Sequence, residues 1–118
     1  KMYNEVDILL DTFPYPGVTT SIESIWMGVP VLTLKGNNFH SRCGVSINLN
    51  IGMPEFIAEN KNDYIKKALS LTENSNKLIE IKKSLRQTAL NSSLFDIKKF
   101  GQQFYEMLNH VWSTHLLK

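Results

Sequence analysis

An almost unbroken apolar run, Val6-Asp7-Ile8-Leu9-Leu10, stops at a loop holding two prolines and a glycine, Asp11-Thr12-Phe13-Pro14-Tyr15-Pro16-Gly17. A strand covered on both faces of a parallel sheet reads this way, because neither side of it needs polar residues. The prolines and the glycine end any regular element and hold the backbone on a fixed, non-repeating path. Ile22, Ile25 and Trp26 then recur at i, i+3 and i+4, which predicts a helix capped by Thr19 or Thr20 and running to about Met27. Gly28 ends that helix, Pro30 keeps it from resuming, and Val31-Leu32-Thr33-Leu34 forms the second strand. The result is a β-α-β unit.

The remainder changes character. A polar loop from Lys35 to His40 leads to a short helix from about Ser41 to Leu49. From Asn60 onward the pattern is helical. Asn60, with Asp63 three positions later, starts a helix through about Leu71, with Tyr64, Ile65, Ala68, Leu69 and Leu71 on its apolar side. A second spans about Asn76 to Leu90. A third, from about Asp96 to Thr114, carries Phe100, Phe104, Met107, Leu108, Val111 and Trp112 on one stripe, which belongs to the core by default. Residues 1–59 are thus the β-α-β and loop region and residues 60–118 a helical tail of one domain. With 118 residues, 42% of them hydrophobic, the chain buries about two-thirds of its extended surface, enough for one core but not for two lobes facing a cleft. Lysine at position 1, just before a strand-like run, suggests a piece of a longer chain.

Charge and cysteine content narrow the chemistry. Thirteen basic and eleven acidic residues give a net charge of +2 with no long run of one sign, which favours neither nucleic acid nor a membrane surface as a partner. Cys43 is the only cysteine, so an internal disulfide and cysteine-rich zinc sites are excluded, and a lone thiol fits a reducing cytosol. No metal site is expected. Apolar runs fall well short of the roughly 18 residues that span a bilayer, so a soluble, cytoplasmic protein is expected.

The loop and helix start carry the chemistry. A glycine and two threonines open a helix just beyond the carboxyl end of a buried strand, where ligands of open α/β sheets bind. The first helical N–H groups lack intrahelical partners and the helix end carries about half a positive charge, which suits a phosphate. Gly17 lets the backbone approach a ligand closely, and the Thr19 and Thr20 hydroxyls can donate to phosphate oxygens. Glu23, one turn on, would repel phosphate but suits the two hydroxyls of a ribose. A ligand-free reading of the same residues is a capping box, in which Thr20 bonds the third helical amide and Glu23 returns to the cap.

The whole string Asp11-Thr12-Phe13-Pro14-Tyr15-x-Gly17-x-Thr19-Thr20-x-x-Glu23-Ser24-x-x-Met27-Gly28-Val29-Pro30 resembles the SPINDLY branch of the O-linked N-acetylglucosamine transferase family. The resemblance continues through Gly36, His40-Ser41-Arg42, Gly44-Val45-Ser46, Ile57-Ala58-x-Asn60, Tyr64 and Ser84-Leu85-Arg86. It implies an α/β fold: the incomplete, Rossmann-like C-terminal (donor-binding) lobe of a GT-B glycosyltransferase, with a helical C-terminal half. In that arrangement the last helix can return to the other lobe, which would leave part of the aromatic stripe exposed here and prone to self-association. The implied activity is inverting, metal-independent transfer of a sugar from a nucleotide diphosphate sugar to serine or threonine of a protein, with no cofactor.

Carried over by position, Thr19 and Thr20 match the pair that binds the donor diphosphate and Glu23 the acidic residue that holds the ribose. Tyr15 and Val18 fall at donor-contacting positions. Animal N-acetylglucosamine enzymes have cysteine and histidine there, whereas Phe13-Pro14-Tyr15 agrees with plant SPINDLY, which uses GDP-fucose. UDP-N-acetylglucosamine and GDP-fucose both stay open as donors. The family's base and a phosphate-binding lysine lie upstream of Lys1, so the isolated piece is expected to be inactive, and its partners are an acceptor protein, the N-terminal catalytic lobe and upstream tandem helical repeats. Lys35, His40 and Arg42 are further candidates for the cleft, although a loop or structural role suits His40 better and Arg42 equally suits an internal ion pair. Cys43 reads as a small buried apolar residue. Two other classes compete: a receiver domain phosphorylated on Asp11, which requires alternating β-α units to the end of the chain, and a non-catalytic interaction module.

Overall fold

A computed structural model describes residues 2–116, and a parallel three-stranded sheet of order β1-β2-β3 organises their first half. Strand β1 (Leu9–Leu10) lies beside β2 (Val31–Leu34), with Leu9 opposite Val31 and Leu10 opposite Leu32. On its other side β2 pairs with β3 (Ile57–Ala58), Thr33 opposite Ile57 and Leu34 opposite Ala58. Helix α1 (Thr19–Trp26) makes the crossover from β1 to β2, and α2 (Cys43–Asn50) the one from β2 to β3. Among the described residues three helices follow without another strand: α3 (Lys61–Glu73), α4 (Ser75–Leu90) and α5 (Ile97–Leu116). Among the described residues, none of the helices is long and apolar enough to cross a membrane.

The predicted β-α-β unit is present, with a shorter first strand. Residues Met2–Glu5 form a 3-10 turn, and Val6 and Asp7 are held from outside the sheet: Lys82 Nζ on α4 lies 2.8 Å from both the Val6 carbonyl and Asp7 Oδ1. Asp7, which interrupts the apolar run, pairs with Lys82 across the surface and lies outside the ladder. The end of α1 follows the expected chemistry. Gly28 takes φ +81°, the left-handed conformation that glycine adopts at no steric cost, while Ser24 Oγ and the Ser24 carbonyl bond the Val29 carbonyl and amide.

The helix expected from about Ser41 to Leu49 begins with a 3-10 turn, His40–Arg42, and continues as α2. The turn Pro54–Phe56 and the strand β3 have no counterpart in the sequence reading, because two residues between Pro54 and Asn60 cannot show an alternating pattern. Asn60 does cap α3, its side chain accepting from the Asp63 amide at 2.9 Å.

Ile25, Val31, Ile47, Ile51, Met53 and Phe56 form the core with Leu85 and Ala89 of α4, one helical turn apart. The first three-quarters of the chain therefore shares one core. Two expectations for the tail need correction. On α3, Ile65 and Leu69 are exposed, and only Tyr64, Ala68 and Leu71 of the predicted apolar side are partly covered. On α5, the aromatic stripe is not core: every residue from Asp96 to Leu116 is exposed, Trp112 at 68%. The last anchor is Phe95, whose ring centroid lies 5.6 Å from that of Trp26, and beyond it the helix extends a molecule measuring 60 × 29 × 22 Å. Consecutive helices in place of continued strand–helix alternation remove the receiver-domain reading.

Candidate functional site

The mouth at the carboxyl end of β1 is built around a buried carboxylate. Asp11 is 8% exposed. Its Oδ1 accepts from the amides of Thr12 (3.1 Å) and Gly17 (2.8 Å), and its Oδ2 accepts from Thr33 Oγ1 (2.8 Å). Thr12 Oγ1 donates to the Tyr15 carbonyl at 2.6 Å, closing the intervening turn. Tyr64 Oη on α3 donates to the Asp11 carbonyl at 3.1 Å. Burial pushes the Tyr64 phenol above its ordinary value of 10.0, and the negative charge of Asp11 pushes it further, so it stays protonated and donates. The sequestered Asp11 carboxylate is thus a structural acceptor rather than an exposed phosphoacceptor.

This arrangement gives Gly17 an internal reason to be glycine. A Cβ there would lie 2.9 Å from Ser21 Oγ and 3.6 Å from Asp11 Oδ1, and the Gly17 amide points to Asp11. The amides open to a ligand come next in the chain. The N-cap is Val18, at φ −114° and ψ −72° with no side-chain cap, rather than Thr19 or Thr20. Both threonines lie inside the first turn, so the Thr20–Glu23 capping box does not form. Among the described residues, the amides of Thr19, Thr20 and Ser21 have no acceptor, but Ser21 is fully buried, so the two threonine amides are the ones a ligand can reach. Thr19, Thr20 and Glu23 are exposed, and Thr19 and Glu23, four apart, share a face of α1. The helix start therefore offers two exposed free amides, at Thr19 and Thr20, two hydroxyls and about half a positive charge, with a carboxylate one turn away.

The other predicted residues surround this start. Tyr15, 70% exposed, stacks on His40 with ring centroids 6.0 Å apart and planes at 24°, joining the proline loop to the loop after β2. Val18 and Arg42 line one groove of about 720 Å³ together with Ile22, Phe39, Cys43 and Leu49. Lys35 and His40 line a separate groove of about 360 Å³ with Phe13, Pro14 and Lys61. Lys35 Nζ is 2.7 Å from Glu59 Oε2, so its charge is already matched across the loop. Glu23 borders a third, apolar notch of about 330 Å³ with Tyr3, Ile22, Trp26, Met27 and Phe95. Arg86 lies 4.3 Å over the Trp26 ring and steadies that wall.

Four residues that shape the mouth, Asp11 as an acceptor, Thr33, Gly44 and Tyr64, were not singled out by sequence chemistry. A polar threonine inside the buried strand Val31–Leu34 was the available signal, since a buried hydroxyl needs a partner.

A parallel α/β sheet with helical crossovers and a helix start open beyond its strand ends, followed by a helical tail, is the architecture of the C-terminal lobe of a GT-B glycosyltransferase. The chain belongs to glycosyl transferase family 41, which it matches over residues 4–104. It is 40% identical over 78 residues to the probable UDP-N-acetylglucosamine–peptide N-acetylglucosaminyltransferase SPINDLY of Eustoma exaltatum subsp. russellianum, a stretch covering 66% of this chain and 8% of that protein. The UDP-N-acetylglucosamine–peptide N-acetylglucosaminyltransferase of Caenorhabditis elegans is 27% identical over 109 residues, 92% of this chain and 10% of that one. Among solved structures, a mutant O-GlcNAc transferase from Thermobaculum terrenum superposes with a TM-score of 0.86 at 34% identity, covering 94% of this chain and 21% of that chain. The chain thus spans about a tenth or less of the curated relatives' length and a fifth of the solved chain.

Proposed function

We propose that this chain supplies the donor-nucleotide site of a protein O-glycosyltransferase. The observation that carries the reading is the start of α1, where the exposed Thr19 and Thr20 bring unbonded amides and hydroxyls to the carboxyl end of the sheet with Glu23 one turn on. In this reading the diphosphate lies on the helix start, Glu23 accepts the ribose hydroxyls, and Tyr15 and Val18 face the donor. The transferred sugar is N-acetylglucosamine or fucose, and it passes to serine or threonine of an acceptor protein with inversion and without a metal. The names of the relatives favour N-acetylglucosamine. Phe13-Pro14-Tyr15 keeps fucose as the second reading.

Titration with UDP and with GDP, followed through the amide resonances, tests the binding claim. Shifts centred on residues 17–23 with one of the two nucleotides are expected, and the preferred nucleotide separates the two donors. No response there with either nucleotide sinks the reading.

A further inference from the structure

Asp11 contributes nothing that would touch a donor, yet more of the mouth converges on it than on any other side chain. Its two oxygens take three donors: the Thr12 and Gly17 amides on Oδ1 and the Thr33 hydroxyl on Oδ2. A carboxylate, which only accepts, can satisfy all three at once. Helix α2 closes over it, since a Cβ on Gly44 would come within 2.6 Å of Oδ2. We propose that Asp11 is the positioning residue of the donor-phosphate turn: by capturing the Gly17 amide it fixes where the chain enters α1, and so where the free, exposed amides of Thr19 and Thr20 point. Thr33 fixes Asp11 in turn, coupling the central strand to the turn.

The physical case rests on the absence of a conventional cap. The Val18 side chain cannot accept a hydrogen bond from the first turn, so no side-chain cap sets the entry angle of α1. The restraint comes instead from one residue upstream, through Gly17 and through the Ser21 hydroxyl, which donates to the Gly17 carbonyl at 3.1 Å. Buried donors aimed at the carboxylate also offset its negative charge beside a site meant for phosphate, which an unsatisfied aspartate would oppose.

This inference rests on the donor reading above, and the experiment separates the two. UDP and GDP affinity and the amide spectrum are measured for the wild type, Asp11→Ala, Asp11→Asn and Thr33→Val, with Leu85→Ala as a variant destabilised in the core away from the turn. Asp11→Ala is expected to weaken binding at least tenfold and to shift the resonances of residues 17–21. Asp11→Asn keeps an oxygen for Gly17 and is expected to recover affinity to within threefold. Leu85→Ala is expected to lower stability with affinity unchanged. Thr33→Val is expected to weaken binding at least threefold, and it decides the matter if Asp11→Ala does not fold. Wild-type affinity in a folded Asp11→Ala, or in Thr33→Val, overturns the positioning role, as does a loss in Asp11→Asn equal to that in Asp11→Ala. If the wild type binds neither nucleotide, the donor reading fails, and the positioning claim is judged by whether Asp11→Ala or Thr33→Val disturbs the amides of residues 17–21.

Discussion

The Tyr64 hydroxyl donates a 3.1 Å hydrogen bond to the backbone carbonyl of Asp11, 53 residues earlier, and so ties the first helix of the tail to the end of the first strand. The bond is partly buried, and it makes α3 part of the wall behind the turn that opens α1.

Removing that hydroxyl in Tyr64→Phe is expected to cost about 1 kcal/mol, the net worth of a single neutral hydrogen bond. Burial and the Asp11 charge raise the phenol's pKa in the folded state, so folding favours the protonated form. The wild type therefore keeps this contribution in full below the ordinary value of 10.0 and loses it as pH rises through the raised native value. Urea unfolding at pH 8 and pH 11 checks this. The stability gap between wild type and Tyr64→Phe should narrow at the higher pH, and an unchanged gap contradicts the assignment.

Gly44→Ala should be costly for steric reasons alone. The new Cβ would lie 2.6 Å from Asp11 Oδ2 and closer still to the Thr33 hydroxyl, both buried and both already bonded. A loss of roughly 1–3 kcal/mol is expected, as for overpacking elsewhere. Gly101→Ala on α5 meets nothing within 4 Å and should leave core stability unchanged. Equal denaturation midpoints for the two variants would show that α2 does not close on Asp11 as described.

Thr19→Val and Thr20→Val test the difference between a capping role and a ligand role. Neither hydroxyl caps α1, and both residues are exposed, so each change should alter stability by less than about 0.5 kcal/mol. Loss of a true cap costs about 1 kcal/mol. Affinity for the preferred nucleotide, measured by calorimetry, should fall with stability intact. A drop in stability with affinity unchanged would restore the capping role.

The exposed stripe on α5 makes a further prediction. None of residues 97–116 is buried, so ending the chain after Asp96 should leave the unfolding midpoint of the core within a few degrees of the parent while removing helical ellipticity. Replacing Phe100, Phe104 and Trp112 with serine should act likewise and reduce self-association in sedimentation. A truncated chain that no longer unfolds cooperatively would mean that α5 supports the core.

Local chemistry made much of this legible. The apolar run at Leu9–Leu10, the Gly28 stop, the strand Val31–Leu34 and the Asn60 cap each depend on residues near in sequence, and each stands close to where the sequence puts it. Helical spacing also located α4 and α5, because period is a local property. Period alone does not say what a helix faces. The stripe of α5 has the apolar spacing of a core helix yet meets no partner, while α4, with a weaker pattern, puts Leu85 and Ala89 in the core.

The site divides in the same way. Sequence determined that Thr19, Thr20 and Glu23 would lie at a helix start beyond a strand end, because strand, turn and helix signals are all local. Tertiary structure alone decided that Val18 takes the cap position, that Gly17 turns its amide to Asp11, and that Tyr15 stacks on His40. Those outcomes depend on Thr33, Gly44 and Tyr64, residues 22 to 53 positions from Asp11, which no short-range pattern connects to it. Only the packing of β2, α2 and α3 around one buried carboxylate brings them together.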